Sequence, residues 1–197
     1  MSQSFFFNGK KGVSFFNTAR VVICGRFGED SVEKMVDWTL ENVPIGSHPR
    51  ILEIGSGNGT LLFALHEAGY AASHLSGIDY SPDAVKLARM VAAARSQNGE
   101  QVTSFHVCDF ISELPPPPPL LPPAASPTPP SGQHDADVQG SWDLLLDKGT
   151  YDAIALGEKD ESGRCPVAVY PARASKLLRE NGYFLITCKS SDKPVNH

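Results

Sequence analysis

The 197-residue chain has few of the residues that mark a metal site, a disulfide scaffold or a membrane span. Its four cysteines lie far apart and form no Cys-x-x-Cys pair; they are Cys24, Cys108, Cys165 and Cys188. This spacing argues against a zinc site and against a disulfide framework, so we expect no bound metal and a reducing, intracellular compartment. No run of about 18 apolar residues occurs, so the sequence predicts no membrane-spanning helix.

An excess of positive charge is also absent, because the formal net charge is -5. Such a surface gives no electrostatic footprint for nucleic acid or for anionic lipid. We therefore expect neither a nucleic acid nor a membrane as a partner.

The N-terminal segment differs in composition from the rest of the chain. Residues 1–28 contain no acid and carry four basic residues, which is a weak feature of mitochondrial transit segments. We disfavour that interpretation and expect a leader of uncertain structure at 1–26, followed by one domain at 27–197. The expected location is the cytoplasm, with the nucleus as a second location.

Five short apolar runs predict buried strands. Each run is nearly continuous rather than alternating, which is typical of strands covered on both faces of a sheet. The runs are Ile51–Ile54, Leu75–Ile78, Val102–Val107, Trp142–Leu146 and Tyr183–Cys188.

Helical patterns separate these runs, and strands that alternate with helices predict a parallel sheet and an α/β fold. Asp30 followed by Glu33 predicts a capping box before the first helix. Ser81-Pro82 predicts the start of a later helix, and Asn181-Gly182 predicts the end of the last one.

A proline-rich segment at about 113–140 interrupts the pattern between the third and fourth strands. Such a segment cannot pack a core, so we expect an extended or disordered insertion within the domain. We favour a tolerated surface insertion, and the alternative is a ligand for an SH3 or WW domain.

A glycine-rich turn follows the first of the five strands. Residues 51–60 read I-L-E-I-G-S-G-N-G-T, in which an apolar strand runs into three alternating glycines and then a helix. Glycine permits the backbone angles of a tight turn and the close approach of a ligand, and amides at the helix start face that ligand. The pattern predicts a binding loop made of Gly55, Ser56, Gly57, Asn58 and Gly59.

Two residues distinguish this loop from a dinucleotide-binding turn. The G-x-G-x-x-G fingerprint needs glycine at position 60, where this chain has Thr60. Glu53 stands before the first glycine, and its charge would repel a diphosphate but attract the ammonium group of S-adenosylmethionine. The pattern therefore predicts S-adenosylmethionine as the cofactor.

Acidic residues follow the next two strands. Asp79 ends the second strand, where a carboxylate can accept hydrogen bonds from both ribose hydroxyls. Asp109 follows the third strand and can accept from the adenine amino group, while Phe110 can cover the ring. The alternative for Asp109 is a turn-forming aspartate.

The fourth strand ends in the segment D-K-G-T-Y-D at residues 147–152. In open α/β sheets the ligand lies beyond the carboxyl ends of the strands, so the methyl group and its acceptor should meet near Asp147. Asp147 and Tyr151 are the substrate-side candidates. The segment lacks an N-P-P-[YF] sequence, which marks enzymes that methylate amide or adenine nitrogens.

These motifs together resemble the lysine methyltransferases that modify translation elongation factor 1-alpha. The resemblance rests on E-I-G-S-G-N-G, G-I-D-Y-S-P-D-A, C-D-F and D-K-G-T-Y-D-A-I, and it covers about residues 27–187 without the insertion. It implies a Rossmann-like class I methyltransferase sheet with flanking helices, and methyl transfer from S-adenosylmethionine to a lysine of that elongation factor. It also adds Tyr80, Cys108 and Asp147 to the cofactor site.

Asp147 could orient the acceptor amine, but we do not expect a general base there, because a carboxylate raises the pKa of an amine.

Two alternatives stay open for the whole chain. One is a non-catalytic or truncated S-adenosylmethionine-binding protein, and the other is a small-molecule methyltransferase.

The resemblance also predicts a difference at the C-terminus. The family continues past the fifth strand with two more strands, whereas this chain ends at His197. We therefore expect the final antiparallel hairpin to be absent and Tyr183–Cys188 to lie as an exposed apolar edge.

Overall fold

The computed structural model describes residues 13–16, 19–23, 30–96, 103–118, 141–157, 163 and 165–187. Within these ranges, seven strands form one sheet. In chain order they are β1 (Val13–Phe16), β2 (Ala19–Ile23), β3 (Ile51–Ile54), β4 (Leu75–Asp79), β5 (Ser104–Val107), β6 (Trp142–Lys148) and β7 (Leu178–Thr187).

Five α-helices accompany these strands in the described ranges. They are α1 (Ser31–Asn42), α2 (Thr60–Glu67), α3 (Pro82–Arg95), α4 (Thr150–Ala155) and α5 (Tyr170–Leu177). Short 3-10 turns occupy residues 45–47, 72–74 and 166–169.

The strand order across the sheet is β1-β2-β7-β6-β3-β4-β5. Neighbouring strands are parallel except β1 and β2, which are antiparallel. The predicted parallel α/β sheet is confirmed, and the five predicted strands correspond to β3 through β7. Because β3 lies between β4 and β6, the order of strands reverses there, and such a switch point opens a crevice at the carboxyl ends of the strands.

Two apolar clusters cover the two faces of the sheet. Ile51 belongs to a cluster with residues of α1, α2 and α3, whereas the adjacent Leu52 belongs to a cluster with residues of α4 and α5. Side chains alternate between faces along a strand, so each face of β3 has its own helical cover. This two-sided burial explains why β3, β4 and β6 read as continuous apolar runs.

The expectation of an exposed edge at Tyr183–Cys188 is wrong for the described part of that segment. β2 pairs in parallel with β7, and Arg20 lies opposite Tyr183 and donates from Nη1 to its hydroxyl over 2.8 Å. Val22 is buried in the same cluster as Leu185. Three of the five residues in the sequence A-R-V-V-I are β-branched, which suits a strand. Part of the segment that we predict as a leader therefore joins the sheet.

One predicted helix cap is confirmed and another is not. The Ser81 hydroxyl accepts a hydrogen bond from the Ala84 amide over 3.3 Å, as expected for the N-cap of α3. Asp30 makes no side-chain cap bond, so the capping box with Glu33 is absent; Asp30 instead pairs with Lys34 over 3.4 Å. The backbone of Asp30, at φ -85° and ψ 7°, lacks the extended geometry that an N-cap normally adopts.

The predicted end of the last helix is also wrong. α5 ends at Leu177, and Asn181-Gly182 lies inside β7, where Asn181 has a left-handed φ of 62°. The pairing of β6 with β7 is irregular between Trp142 and Leu144, opposite this bend. The Asn-Gly pair therefore marks an irregularity in a strand, which asparagine and glycine both tolerate.

Most of the proline-rich insertion, residues 119–140, lies outside the described residues. Its extended form and its SH3 or WW partner stay predictions. None of the helices in the described ranges combines the length and the apolar character needed to cross a membrane.

We predict that Val22→Asp lowers the free energy of unfolding by about 3 kcal/mol, because it buries a carboxyl group in an apolar cluster. Val107→Asp is the matched control, since Val107 also lies in a strand but is 48% exposed. Urea unfolding followed by circular dichroism measures both variants. Equal effects of the two substitutions would contradict the burial of β2 against β7.

Candidate functional site

The glycine-rich turn between β3 and α2 has a left-handed backbone at three positions. The φ angles are 69° at Gly55, 54° at Gly57 and 83° at Gly59. A Cβ atom at Gly55 would lie 1.8 Å from Oγ1 of Thr150, whereas a Cβ at Gly57 would meet open space. Gly55 therefore permits close contact between the turn and α4, and Gly57 serves the backbone angle alone.

Asp79 joins the end of β4 to this turn. One carboxylate oxygen accepts from the Gly57 amide over 2.8 Å, and the other accepts from the Ser81 amide over 2.9 Å. A carboxylate offers about four acceptor positions, so two remain for a ligand. Asp79 thus fixes the turn and still has capacity for the ribose hydroxyls that the sequence analysis assigned to it.

Asp109 organises the segment after β5. Its carboxylate accepts from the Ile111 amide over 3.0 Å and from the Ser112 hydroxyl over 2.6 Å. These bonds form the turn that the sequence analysis gave as the alternative role of Asp109. The same turn places the neighbouring Cys108 and Phe110 in buried positions.

A cavity of about 430 Å³ opens where the carboxyl ends of β3, β4 and β6 meet. Its volume lies within the range of small-molecule sites, about 300–1,000 Å³. Six residues predicted for the cofactor line it: Gly55, Asp79, Tyr80, Cys108, Asp109 and Phe110. Seven lining residues were not predicted: Ile54, Ile78, Lys148, Gly149, Thr150, Ala153 and Ile154.

Glu53 is fully buried on β3 and directly precedes Ile54, which lines the cavity. Among the described residues, neither of its side-chain oxygens has a hydrogen-bond partner. Burial raises the pKa of this carboxyl group to about 8, and the positive charge of Lys148 opposes the rise. The negative charges of Asp147 and Asp79 add to it. Burial therefore favours the neutral form of this carboxyl group, and a cation brought next to it would favour the carboxylate.

Asp147 is fully buried at the end of β6 and does not belong to the lining residues of the cavity. Its carboxylate accepts from the amide of Thr150 over 2.7 Å and from that of Tyr151 over 3.0 Å. The hydroxyl of Tyr170 donates to it as well. Burial raises the pKa of Asp147 to about 6, although these three hydrogen bonds oppose the rise. Asp147 therefore caps the first turn of α4.

The other candidates lie near the cavity without lining it. Ser56, Gly57, Asn58 and Gly59 occupy the rest of the turn; Asn58 accepts from the hydroxyl of Thr60 over 2.7 Å. Tyr151 packs edge-on against Tyr170, with ring centroids 5.5 Å apart. The assignment of these residues to the cofactor or the substrate stays a prediction.

Two polar lining residues escaped the sequence analysis. Lys148 lines the cavity, and the hydroxyl of Thr150 donates to the carbonyl of Ile54 over 3.0 Å, which ties α4 to the end of β3. α4 has only six residues, too few for a helical period to be read from the sequence. The signal in the sequence was the D-K-G-T motif at the end of the fourth strand, which contains both residues.

The described residues contain no group of three or more His, Cys, Asp or Glu side chains that could hold a metal ion.

A family comparison decides the class of protein. Residues 45–195 match a family described as a methyltransferase domain. The chain belongs to this family. The match includes the glycine-rich turn, the cavity and the capped helix α4, so these features are parts of a methyltransferase domain.

Curated relatives of this methyltransferase domain are protein-lysine methyltransferases by name. Protein-lysine N-methyltransferase EFM4 of Saccharomyces cerevisiae is 32% identical over 168 residues, which are 83% of this chain and 62% of that protein. EEF1A lysine methyltransferase 2 of Homo sapiens is 30% identical over 162 residues, which are 82% of this chain and 56% of that protein. The motif-based resemblance is confirmed. The chain spans about three fifths of the length of these relatives.

Solved structures support the fold. The YcgJ protein of Bacillus subtilis is 18% identical, with a TM-score of 0.51, over 78% of this chain and 50% of that one. The MccD protein gives the same TM-score of 0.51 at 18% identity, over 82% of this chain and 57% of that one. At this identity the likeness concerns the arrangement of sheet and helices alone.

We predict that Gly55→Ala destabilises the domain by about 3 kcal/mol, because a methyl group there adds left-handed strain to a clash with Thr150. Gly57→Ala should cost about 1–2 kcal/mol, since it adds the strain without the clash. Gly46→Ala, in open space without a left-handed φ, is the control. Urea unfolding measures all three, and equal losses at Gly55 and Gly57 would contradict the contact with α4.

The buried Glu53 predicts a pH dependence of stability. Its pKa rises from 4.5 in the unfolded chain to about 8 in the folded domain, so the folded state binds more protons between these values. Stability should therefore fall as the pH rises from about 4.5 to about 8. Glu53→Gln cannot ionise and should flatten this decline, which unfolding titrations at several pH values would measure. An unchanged slope in the variant would show that the group ionises normally.

Proposed function

We propose that the chain is an S-adenosylmethionine-dependent protein-lysine N-methyltransferase that acts on translation elongation factor 1-alpha. The observation that carries the proposal is the buried carboxyl group of Glu53, which has no hydrogen-bond partner in the described part of the chain and stands beside a glycine-rich turn and a cavity. The names of the curated relatives support the lysine and the elongation factor as targets.

The residues around the cavity fit S-adenosylmethionine. The ligand carries an ammonium group, and Glu53 has two buried oxygens without a partner among the described residues. A cation there would lower the pKa of Glu53 and offset the cost of its burial. A diphosphate would instead add repulsion, which disfavours a dinucleotide.

The remaining parts of the cofactor would contact separate elements. The free acceptor positions of Asp79 suit the ribose hydroxyls. The buried ring of Phe110 and the side chain of Ile78 suit the faces of the adenine, and Asp109 suits its amino group. When bound, S-adenosylmethionine would supply an electrophilic methyl group on a sulfonium centre.

The apolar and basic side chains of the cavity wall favour the neutral form of an incoming lysine, whereas its two aspartates favour the protonated form. A free lysine has a pKa of about 10.4, so its protonated form predominates at neutral pH. The apolar side chains of Ile54, Ile78 and Ile154 disfavour a desolvated ammonium, and the positive charge of Lys148 adds repulsion. These apolar and basic side chains therefore assist deprotonation, without a dedicated base.

The substrate-side roles of Asp147 and Tyr151 follow from their positions. Asp147 accepts three hydrogen bonds from the chain itself, so it acts on the substrate through the helix it caps. Tyr151, in the first turn of α4 and packed against Tyr170, remains the candidate for a direct substrate contact. The location belongs to the same proposal. Because elongation factor 1-alpha works in translation, we expect the protein in the cytoplasm, with the nucleus as a second location.

The test is methyl transfer from tritiated S-adenosylmethionine to purified elongation factor 1-alpha and to cell lysate. We expect label on a lysine of the elongation factor, reduced at least tenfold in Glu53→Gln because the variant loses the charge that faces the ammonium group. Glu180→Gln is the matched control, since Glu180 is exposed on β7.

Each other outcome points to a different function. Label in metabolites alone would identify a small-molecule methyltransferase. Binding of S-adenosylmethionine without transfer would identify a non-catalytic binding protein. A folded chain that does not bind S-adenosylmethionine in calorimetry would overturn the proposal.

A further inference from the structure

Tyr170 occupies a fully buried position at the first residue of α5, outside the wall of the cavity. Its hydroxyl donates to Oδ2 of Asp147, the same oxygen that accepts from the amide of Tyr151. Burial raises the pKa of Tyr170 well above its usual value, with the charge of Asp147 adding to the rise. The hydroxyl therefore keeps its proton and remains a donor.

The ring of Tyr170 contacts three elements. Its centroid lies 4.7 Å from that of Phe110 after β5, 5.5 Å from that of Tyr151 on α4 and 6.2 Å from that of Phe184 on β7. Phe110 lines the cavity on one side, and α4 lines it on the other. One buried side chain thus contacts both a lining residue, Phe110, and the helix α4, which supplies other lining residues.

The hydrogen bond to Asp147 matters because α4 has no cap of its own. Its N-cap residue is Gly149, which lacks a side chain, so the first amides of the helix depend on Asp147. A carboxylate that accepts these amides holds the helix most firmly when its own orientation is fixed. Tyr170 provides that fixation from α5.

Arg173, one turn further along α5, supports the same connection. Its guanidinium carbon lies 5.7 Å from the centroid of the Phe110 ring, and Nη2 donates to the carbonyl of Glu113. α5 therefore holds the segment after β5 at two points, one aromatic and one polar. Of the three residues in these contacts, only Phe110 is one that the sequence assigned to the cofactor.

We propose that Tyr170 is a positioning residue that sets the width of the cofactor cavity by holding α4, through Asp147, against the Phe110 segment. The inference rests on the proposed function, because it takes the cavity to be the S-adenosylmethionine site. Tyr170 does not line the cavity, and its two parts have separate roles: the hydroxyl orients Asp147, and the ring supports Phe110.

Tyr170→Phe and Tyr170→Leu separate these two parts. Phenylalanine keeps the ring and loses the hydroxyl, so amide hydrogen exchange without cofactor should quicken at Thr150 and Tyr151 but not at residues 108–112. Leucine loses both parts, so exchange should quicken at both places. The affinity for S-adenosylmethionine should fall about tenfold in the phenylalanine variant and further in the leucine variant.

Tyr70→Phe is the matched control. Tyr70 is also buried and donates one hydrogen bond, to the carbonyl of Val43 over 2.7 Å, in the cluster on the other face of the sheet. This variant should lose stability without any change in cofactor affinity or in exchange at α4. Equal effects of Tyr70→Phe and Tyr170→Phe on cofactor affinity would overturn the proposal.

The pH profile of cofactor affinity gives a readout that lost stability alone would not move. Protonation of Asp147 weakens the cap, and the bond from Tyr170 lowers the pKa of that carboxyl group, which is about 6. The acid-side loss of affinity should therefore move to higher pH in Tyr170→Phe. Among the described residues, Asp152 on α4 raises the pKa of Asp147, and Glu53 on β3 interacts with the charge of Asp147. Lys148 on β6 acts on Glu53 in turn.

The outcomes distinguish this inference from the proposed function. If the wild-type chain does not bind S-adenosylmethionine, the proposed function fails, and exchange at Thr150 and Tyr151 in Tyr170→Phe still decides whether Tyr170 holds α4. Unchanged exchange at both amides, or an unchanged pH profile in a chain that binds the cofactor, would overturn the role of Tyr170.

Discussion

The buried carboxylate of Asp147 joins three elements at the carboxyl edge of the sheet. It belongs to β6, accepts two amides of α4 and receives the hydroxyl of Tyr170 from α5. Because α4 starts at this point, the contact of Thr150 with Gly55 and with the carbonyl of Ile54 depends on it. The shape of the turn and of the cavity therefore follows from one satisfied buried charge, which is the condition under which burial of a charge is tolerated.

Glu53 stands in the opposite situation on the neighbouring strand. It is as deeply buried as Asp147, but its oxygens find no partner among the described residues, and the charge of Asp147 raises its pKa further. An unsatisfied buried group costs stability, so a domain that keeps one indicates a ligand that satisfies it. The two carboxyl groups therefore differ in kind: Asp147 is satisfied by the chain itself, whereas Glu53 is the group that we propose for the ligand.

The parts of the site that the sequence predicted are those encoded by local pattern. The strand runs and the glycine turn located Gly55 and Asp79, because a strand that ends in glycine or an acid is visible within ten residues. Lys148 and Thr150 were missed because their roles depend on the short helix α4 and on a contact with β3, which is distant in sequence. The role of Tyr170 depends wholly on tertiary packing, and no periodicity of its own segment indicates it. The burial of β7 by β2 was missed for the same reason, since parallel pairing across most of the chain leaves no local signal.

The pairing of β2 with β7 bears on the site through the sheet. β7 lies between β2 and β6. β6 carries Asp147 and Lys148 and pairs on one side with β7 and on the other with β3. A strand at an open edge has unpaired backbone groups and moves more freely than an interior one. By covering β7, β2 makes the direct neighbour of β6 an interior strand as well. β2, none of whose described residues lines the cavity, therefore supports the strand that pairs with β6 and so contributes to the site only through the sheet.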